Sequence, residues 1–308
     1  MSEFSSSRPS SKTLDWYASV AAGWSPASRF DAPFCFGELS CDVMTQTDIF
    51  QALICDVEQS SHSHLLSPMV GVVEPDIFPE VLSPTNEEMV VIDPLVQTST
   101  GLYPKAVVWQ SGWPRALPYI FVRRQVYERL LAAVRILREF NPDLSLCITD
   151  GWRSVDQQSE LFKAFYPSGY IQGDPIYVSA PNEDDRLAAP HPSGGAVDVM
   201  IGINDQAFHI GSELDYMDVE ANTDYFENEA DDHFIRDMRR VFTNLLCDVG
   251  FVSHQPEWWH VEYGTRRWAG KTGNDPRYGN VIIDPTLYAD VEPVVPIARS
   301  RRAAMMSS

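Results

Sequence analysis

The sequence predicts an α+β fold: a single domain in which a central, mainly antiparallel sheet is flanked by helices, preceded by a loop-rich N-terminal extension. Three observations carry this expectation. Short β-prone runs alternate with longer segments whose apolar residues step at three and four, no internal repeat is present, and the composition does not shift after about residue 85. With 308 residues and 44% hydrophobic content, the chain can bury a substantial core. The expected boundaries are 1–85 for the extension, 86–285 for the domain and 286–308 for a C-terminal tail.

Residues 1–85 are rich in Ser, Pro and Asp and carry only short apolar runs, Ile49 to Cys55 and Met69 to Val73, so they read as loop. "MVVIDP" (89–94) predicts a strand stopped by Pro94, and "KAVVWQ" (105–110) predicts a second. From Val122 the period becomes helical through Val126, Leu130, Ala133, Val134, Leu137 and Phe140, ending near Asn141 and Pro142. "LSLCIT" (144–149) predicts a core strand that delivers the chain to "DGWRS". There Ser154, with Gln157 three places on, can open a helix through a capping box and leave Arg153 at the turn. Residues 166–190 read as a long surface loop and "GAVDVMIGI" (195–203) as a strand. The acidic stretch 213–232 leads into a helix marked by Phe234, Met238, Phe242, Leu245 and Val249, with Gly250 as its terminator. "PEWWHVEY" (256–263) predicts the last strand.

Charge narrows the partners. The 43 acidic against 23 basic residues give a net charge of −20, which repels phosphate backbones and anionic lipid, so neither nucleic acid nor membrane is expected. The N-terminus has no basic and apolar leader, and a cytoplasmic protein is expected. Five cysteines without a C-x-x-C suggest reduced thiols, several of them buried, with no disulfide framework or cysteine zinc knuckle.

The chemistry gathers at the edges of these elements. His191 precedes Asp198 by seven positions, and Gly194 and Gly195 between them allow the loop to fold back toward the strand that carries the acid. An aspartate within an apolar strand is costly to bury as a bare charge, and a cation removes that cost. Adding His260 gives two imidazoles and a carboxylate, a set suited to one zinc ion per chain with a fourth position open. Glu257, three residues before His260, is then the candidate general acid/base, and Arg153 the fixed cation for charge developing on an attacked carbonyl oxygen. Each residue also has an ordinary structural reading. His191 can be a loop histidine, Asp198 a turn cap or a partner of Arg153, Glu257 a solvated strand end and Arg153 a surface charge. His62, His64, His209, His233 and His254 have no comparable setting and read as surface or core residues.

The order of these parts resembles a known family. "DGWR" on a strand, then H-x6-D at His191 to Asp198, then "EWWH", is similar to the zinc D-alanyl-D-alanine dipeptidases of the vancomycin-resistance (VanX) type, over roughly residues 86–268. The resemblance implies that His191, Asp198 and His260 hold zinc, Glu257 is the acid/base and Arg153 stabilises the tetrahedral intermediate. It further implies that Asp215, in "ELDYM", receives the free amino group of a small dipeptide substrate. The sequence departs from the family at Ala189, where a serine is usual, and at Ser154, where proline is usual. The expected activity is zinc-dependent hydrolysis of D-alanyl-D-alanine or a similar D,D-dipeptide. The alternatives are a peptidase or amidase on another short peptide, and a zinc-containing binding protein that presents the acidic stretch 213–232.

Overall fold

The computed structural model describes residues 43–294, apart from 70–71, 114, 171–175, 217, 229–232, 285 and 287–289. The sequence readings for residues 1–42, with Cys35 and Cys41, and for 295–308 lie outside the described residues. In chain order the elements are α1 (Val43–Gln59), β1 (Met89–Val91), α2 (Gln97–Thr100), β2 (Leu102–Pro104), α3 (Val107–Gln110), β3 (Phe121–Arg123), α4 (Arg124–Phe140), β4 (Leu144–Asp150) and α5 (Val155–Phe165). They continue with β5 (Ala196–Ile203), β6 (Gln206–Ala207), α6 (His233–Asp248), β7 (Val252–His254), β8 (Glu257–Glu262) and α7 (Arg266–Thr272). The α+β expectation holds. A six-stranded sheet runs β2-β4-β5-β8-β7, with β6 on β5, and a separate pair joins β1 to β3. Only β2 and β4 run parallel; the other pairs are antiparallel.

Strands β4 and β5 form the middle of the sheet, and their side chains are buried on both faces except at Ile203. They therefore read as nearly continuous apolar runs. Helix α4 lays Val126, Leu130, Ala133, Val134 and Leu137 into the core, and α6 does the same with Phe234, Met238, Val241, Phe242 and Leu245. All but Val241 are periodic positions read from the sequence, whereas Val249, also read as part of α6, lies one residue past its end; burial of these faces supplies the helices' stability in water. Ser154 caps α5 by accepting a hydrogen bond from the Gln157 amide at 3.1 Å.

The structure corrects three readings. The first 85 residues are not uniformly loop: α1 spans 17 residues. Its Phe50, Leu53 and Val57 are buried in the same core as the sheet, and Phe50 meets Phe208 edge to face at 4.4 Å. "KAVVWQ" is not a strand. The ladder beside β4 is used by Leu102–Pro104 and finishes with the Lys105 amide on the Ile148 carbonyl, so the chain turns into α3 instead. Val122 lies in β3, paired with Val90, and the helix begins two residues later. Of the described cysteines, Cys147 is buried, whereas Cys55 and Cys247 are exposed. Among the described residues, no helix is long and apolar enough to cross a membrane.

Candidate metal centre

Strand register brings the site together. In the antiparallel pair of β5 and β8, Asp198 lies directly opposite His260, and on the other side of β5 Asp198 lies opposite Asp150. Directly opposed side chains on one sheet face are close enough to share a ligand. His191 reaches the same point from a single 3-10 turn, His191–Ser193, ended by Gly194 at φ +73°. Gly195 follows with no room for a side chain: a Cβ there would sit 2.7 Å from the Tyr263 carbonyl oxygen. The fold-back expected from the two glycines is present, and it returns His191 to the mouth of β5.

Among the described residues, His191, Asp198 and His260 form a buried group whose ligand atoms lie within 4.8 Å of one another, so they can hold a metal ion. His191 Nε2 is 3.6 Å from Asp198 Oδ2, and His260 Nδ1 is 2.9 Å from Asp198 Oδ1. The outward nitrogens are committed elsewhere. His191 Nδ1 donates to the Gly151 carbonyl at 2.6 Å, and His260 Nε2 lies 3.0 Å from Glu262 Oε1. The bond to Gly151 leaves Nε2 of His191 unprotonated and turned inward; His260 stands between the Asp198 and Glu262 carboxylates, and donation through Nε2 to Glu262 is the tautomer that offers Nδ1 to a metal, an arrangement usual around metal-binding imidazoles. Burial and the neighbouring Arg153 hold the His191 imidazolium well below its ordinary range, so the ring is neutral as a ligand must be. Burial works against the Asp198 anion, but His191, His260 and Arg153 outweigh it and hold the carboxyl below the usual carboxylate range.

The other expected residues surround this group. Arg153 leaves β4 at the turn into α5; its Nε donates to Asp150 at 2.6 Å and its Nη2 lies 3.4 Å from Asp198. Burial disfavours the guanidinium charge, and the carboxylates of Asp150 and Asp198 more than offset this. Glu257 opens β8 and is buried, with Oε2 4.0 Å from His260 Nδ1, beside the ligand set and not in it. Burial, reinforced by Asp198 and Asp215, pushes its carboxyl up to about 8, although His260 and Arg153 pull the other way. Asp215 lies on the same cleft wall at φ +59°, a conformation that a side-chain-bearing residue adopts at a cost. Burial and the charge of Asp198 push its carboxyl up to about 7. The cleft encloses about 830 Å³ including its open mouth, and Trp113, Phe165, Tyr177 and Trp259 add aromatic walls.

Four contributors were not expected from sequence. His254 is the clearest correction: it is neither a surface residue nor a core residue remote from the site. It lines the cleft, with Nε2 3.9 Å from Glu257 and its ring 5.4 Å from that of His260. Its Nδ1 faces Glu74 at 3.1 Å and its Nε2 faces the Ile176 carbonyl at 2.9 Å. Burial and Arg267 push the imidazolium down to about 3, so a neutral ring donates to one of these two acceptors at a time. Glu262 was legible as the residue two places beyond His260 on one strand face. Asp150 stands three residues before Arg153 in the same turn. Gln158 joins Arg153 at 3.3 Å to the Ser179 carbonyl at 2.8 Å, a pairing with no sequence signal. Ala189 is buried in an adjoining groove with Phe78, Ile176 and Leu187, outside the metal cleft. No family model and no curated protein matches the chain.

Proposed function

We propose that the chain is a zinc-dependent hydrolase of small peptides, with D-alanyl-D-alanine or a similar D,D-dipeptide as substrate. The observation that carries this reading is the pairing of a His, Asp, His group with a separate buried carboxyl, Glu257, whose affinity for a proton is raised toward neutrality. A structural zinc site is closed by four protein ligands and has no need of a neighbouring acid/base, whereas three ligands leave a position open for chemistry. Zinc, when bound, supplies a Lewis acid and lowers the pKa of a coordinated water.

In this reading His191 holds the ion through Nε2, His260 through Nδ1 and Asp198 through its carboxylate. Glu257 takes a proton from water and delivers it to the departing amine, two tasks best served by a pKa near the working pH. A dication beside it would lower the value of about 8 toward that range. Arg153, held by Asp150, presents a fixed charge next to the ligand group for the oxygen that becomes anionic. Asp215 receives the substrate ammonium, a charge-assisted contact that a carboxylate on the wall can make. A second reading, a peptidase or amidase on another short peptide, rests on Ala189, which lacks the hydroxyl that the resemblance sets near a substrate carboxylate.

The test is metal content together with turnover on D,D-, L,D- and L,L-dipeptides and a longer blocked peptide. The expected result is about one zinc per chain, cleavage of the D,D-dipeptide alone, and a Glu257→Ala variant that retains zinc and loses turnover. Bound zinc with no cleavage of any peptide would instead favour a binding protein.

A further inference from the structure

Glu74 lies ahead of the first strand, far in sequence from every residue of the centre, yet two chains of contacts run from its carboxylate into the cleft. Its Oε2 accepts from Arg267 Nε at 2.6 Å, and the Nη1 of the same guanidinium bonds Glu262 Oε1, the atom that also faces His260 Nε2. Its Oε1 faces His254 Nδ1 at 3.1 Å, and the other nitrogen of that ring meets the Ile176 carbonyl. Oε1 also accepts from the Gln255 amide at 3.0 Å, beside Lys271 at 3.5 Å. Burial opposes the Glu74 anion, but the hydrogen bond from His254 and the charges of Arg267 and Lys271 hold it ionised well below the usual range.

Arg267 is buried, and its charge is shared between Glu74 on one edge and the fully buried Glu262 on the other. A planar guanidinium gripped at both edges has one orientation. Without the Glu74 charge, Arg267 has Glu262 as its one carboxylate partner among the described residues and competes with the His260 N–H for the same oxygens. Glu262 Oε2 is already taken by the Thr265 hydroxyl, so the imidazole loses part of the bond that sets its angle and basicity. The segment around Glu74 has other anchors: Arg266 donates to the carbonyls of Phe78 and Pro79, and the Val81 amide donates to the Arg186 carbonyl. None of these anchors uses the Glu74 carboxylate.

We propose that Glu74 is a positioning residue for the metal centre, orienting His260 through Arg267 and Glu262. This rests on the metal-binding part of the proposed function and not on the identity of the substrate. The full chain, stripped of metal, is titrated with zinc against a chromophoric chelator, and the visible spectrum of the cobalt-loaded protein is recorded for wild type, Glu74→Gln, Glu74→Asp and Glu80→Gln. Glu80 is an exposed control in the same segment, paired with Arg186. Glu74→Gln is expected to weaken zinc binding on the order of tenfold, the lower end for outer partners of metal ligands, and to shift the cobalt bands. Glu74→Asp, which keeps the charge but draws it back by one methylene, is expected to shift the cobalt bands in the same direction by a smaller, measurable amount, with Glu80→Gln unchanged. If Glu74→Gln does not fold, the cobalt spectrum of Glu74→Asp against wild type decides. Unchanged affinity and bands, with or without a fall in thermal stability, would overturn the proposal, as would an equal effect from Glu80→Gln. A wild type that binds zinc but cleaves no peptide removes the dipeptidase reading alone, and one that binds no metal removes both.

Discussion

Replacing Glu257 by glutamine separates the acid/base from the metal site in one experiment. The side chain is buried and its carboxyl is pushed from an ordinary 4.5 up to about 8, chiefly by burial. A carboxyl whose folded-state pKa is raised contributes stability that is fully present below pH 4.5 and is lost as pH rises toward about 8. At pH 7 the metal-free protein has lost two and a half pH units' worth of this linkage, at about 1.36 kcal/mol each, or about 3 kcal/mol. Glutamine keeps the shape and removes the ionisation. The metal-free Glu257→Gln variant should therefore equal wild type near pH 4.5 and exceed it by up to about 3 kcal/mol at pH 7, roughly 6–12 °C in melting temperature for a domain of this size. Scanning calorimetry of both proteins across pH 4.5 to 8 reads the difference directly. In the zinc-loaded protein the same change should lower kcat by about 10²- to 10⁴-fold while zinc remains bound. Equal melting temperatures at every pH would refute the account of Glu257 as a carboxyl held protonated by its surroundings.

Three further outcomes follow from the same geometry. His191→Ala should abolish tight zinc binding while leaving the melting temperature of the metal-free protein within a few degrees, as read by chelator competition and calorimetry. Asp215→Asn should raise KM for dipeptides with a free amino group, at a cost of about 1.5–3 kcal/mol for a lost charge-assisted contact, and leave KM for N-acylated substrates unchanged. Phe50→Ala should destabilise the protein by about 3–5 kcal/mol in denaturant unfolding, because Phe50 is fully buried against Phe208 and Phe234. A loss below about 1 kcal/mol there would mean that α1 is not part of the cooperative core.

What the sequence determined by itself was local and periodic. Helices α4, α5 and α6 and strands β4, β5 and β8 follow from three- and four-residue steps, caps and β-prone runs, because those signals act within one element. The convergence of His191, Asp198 and His260 was also legible, since two glycines announce the turn that returns His191 and an acid within an apolar strand calls for a cation. Helix α1 had a signal, Phe50, Leu53 and Val57 at helical steps, that its polar surroundings concealed. Tertiary structure decided the rest. "KAVVWQ" carries a β-prone pair of valines and becomes a helical turn because its neighbour's ladder ends at Lys105. His254 looks ordinary along the chain and lines the cleft because β7 pairs with β8 opposite Glu257. Glu74 meets Arg267 across 193 positions. Contacts of that range depend on register and on burial supplied by other elements, which no window of sequence contains.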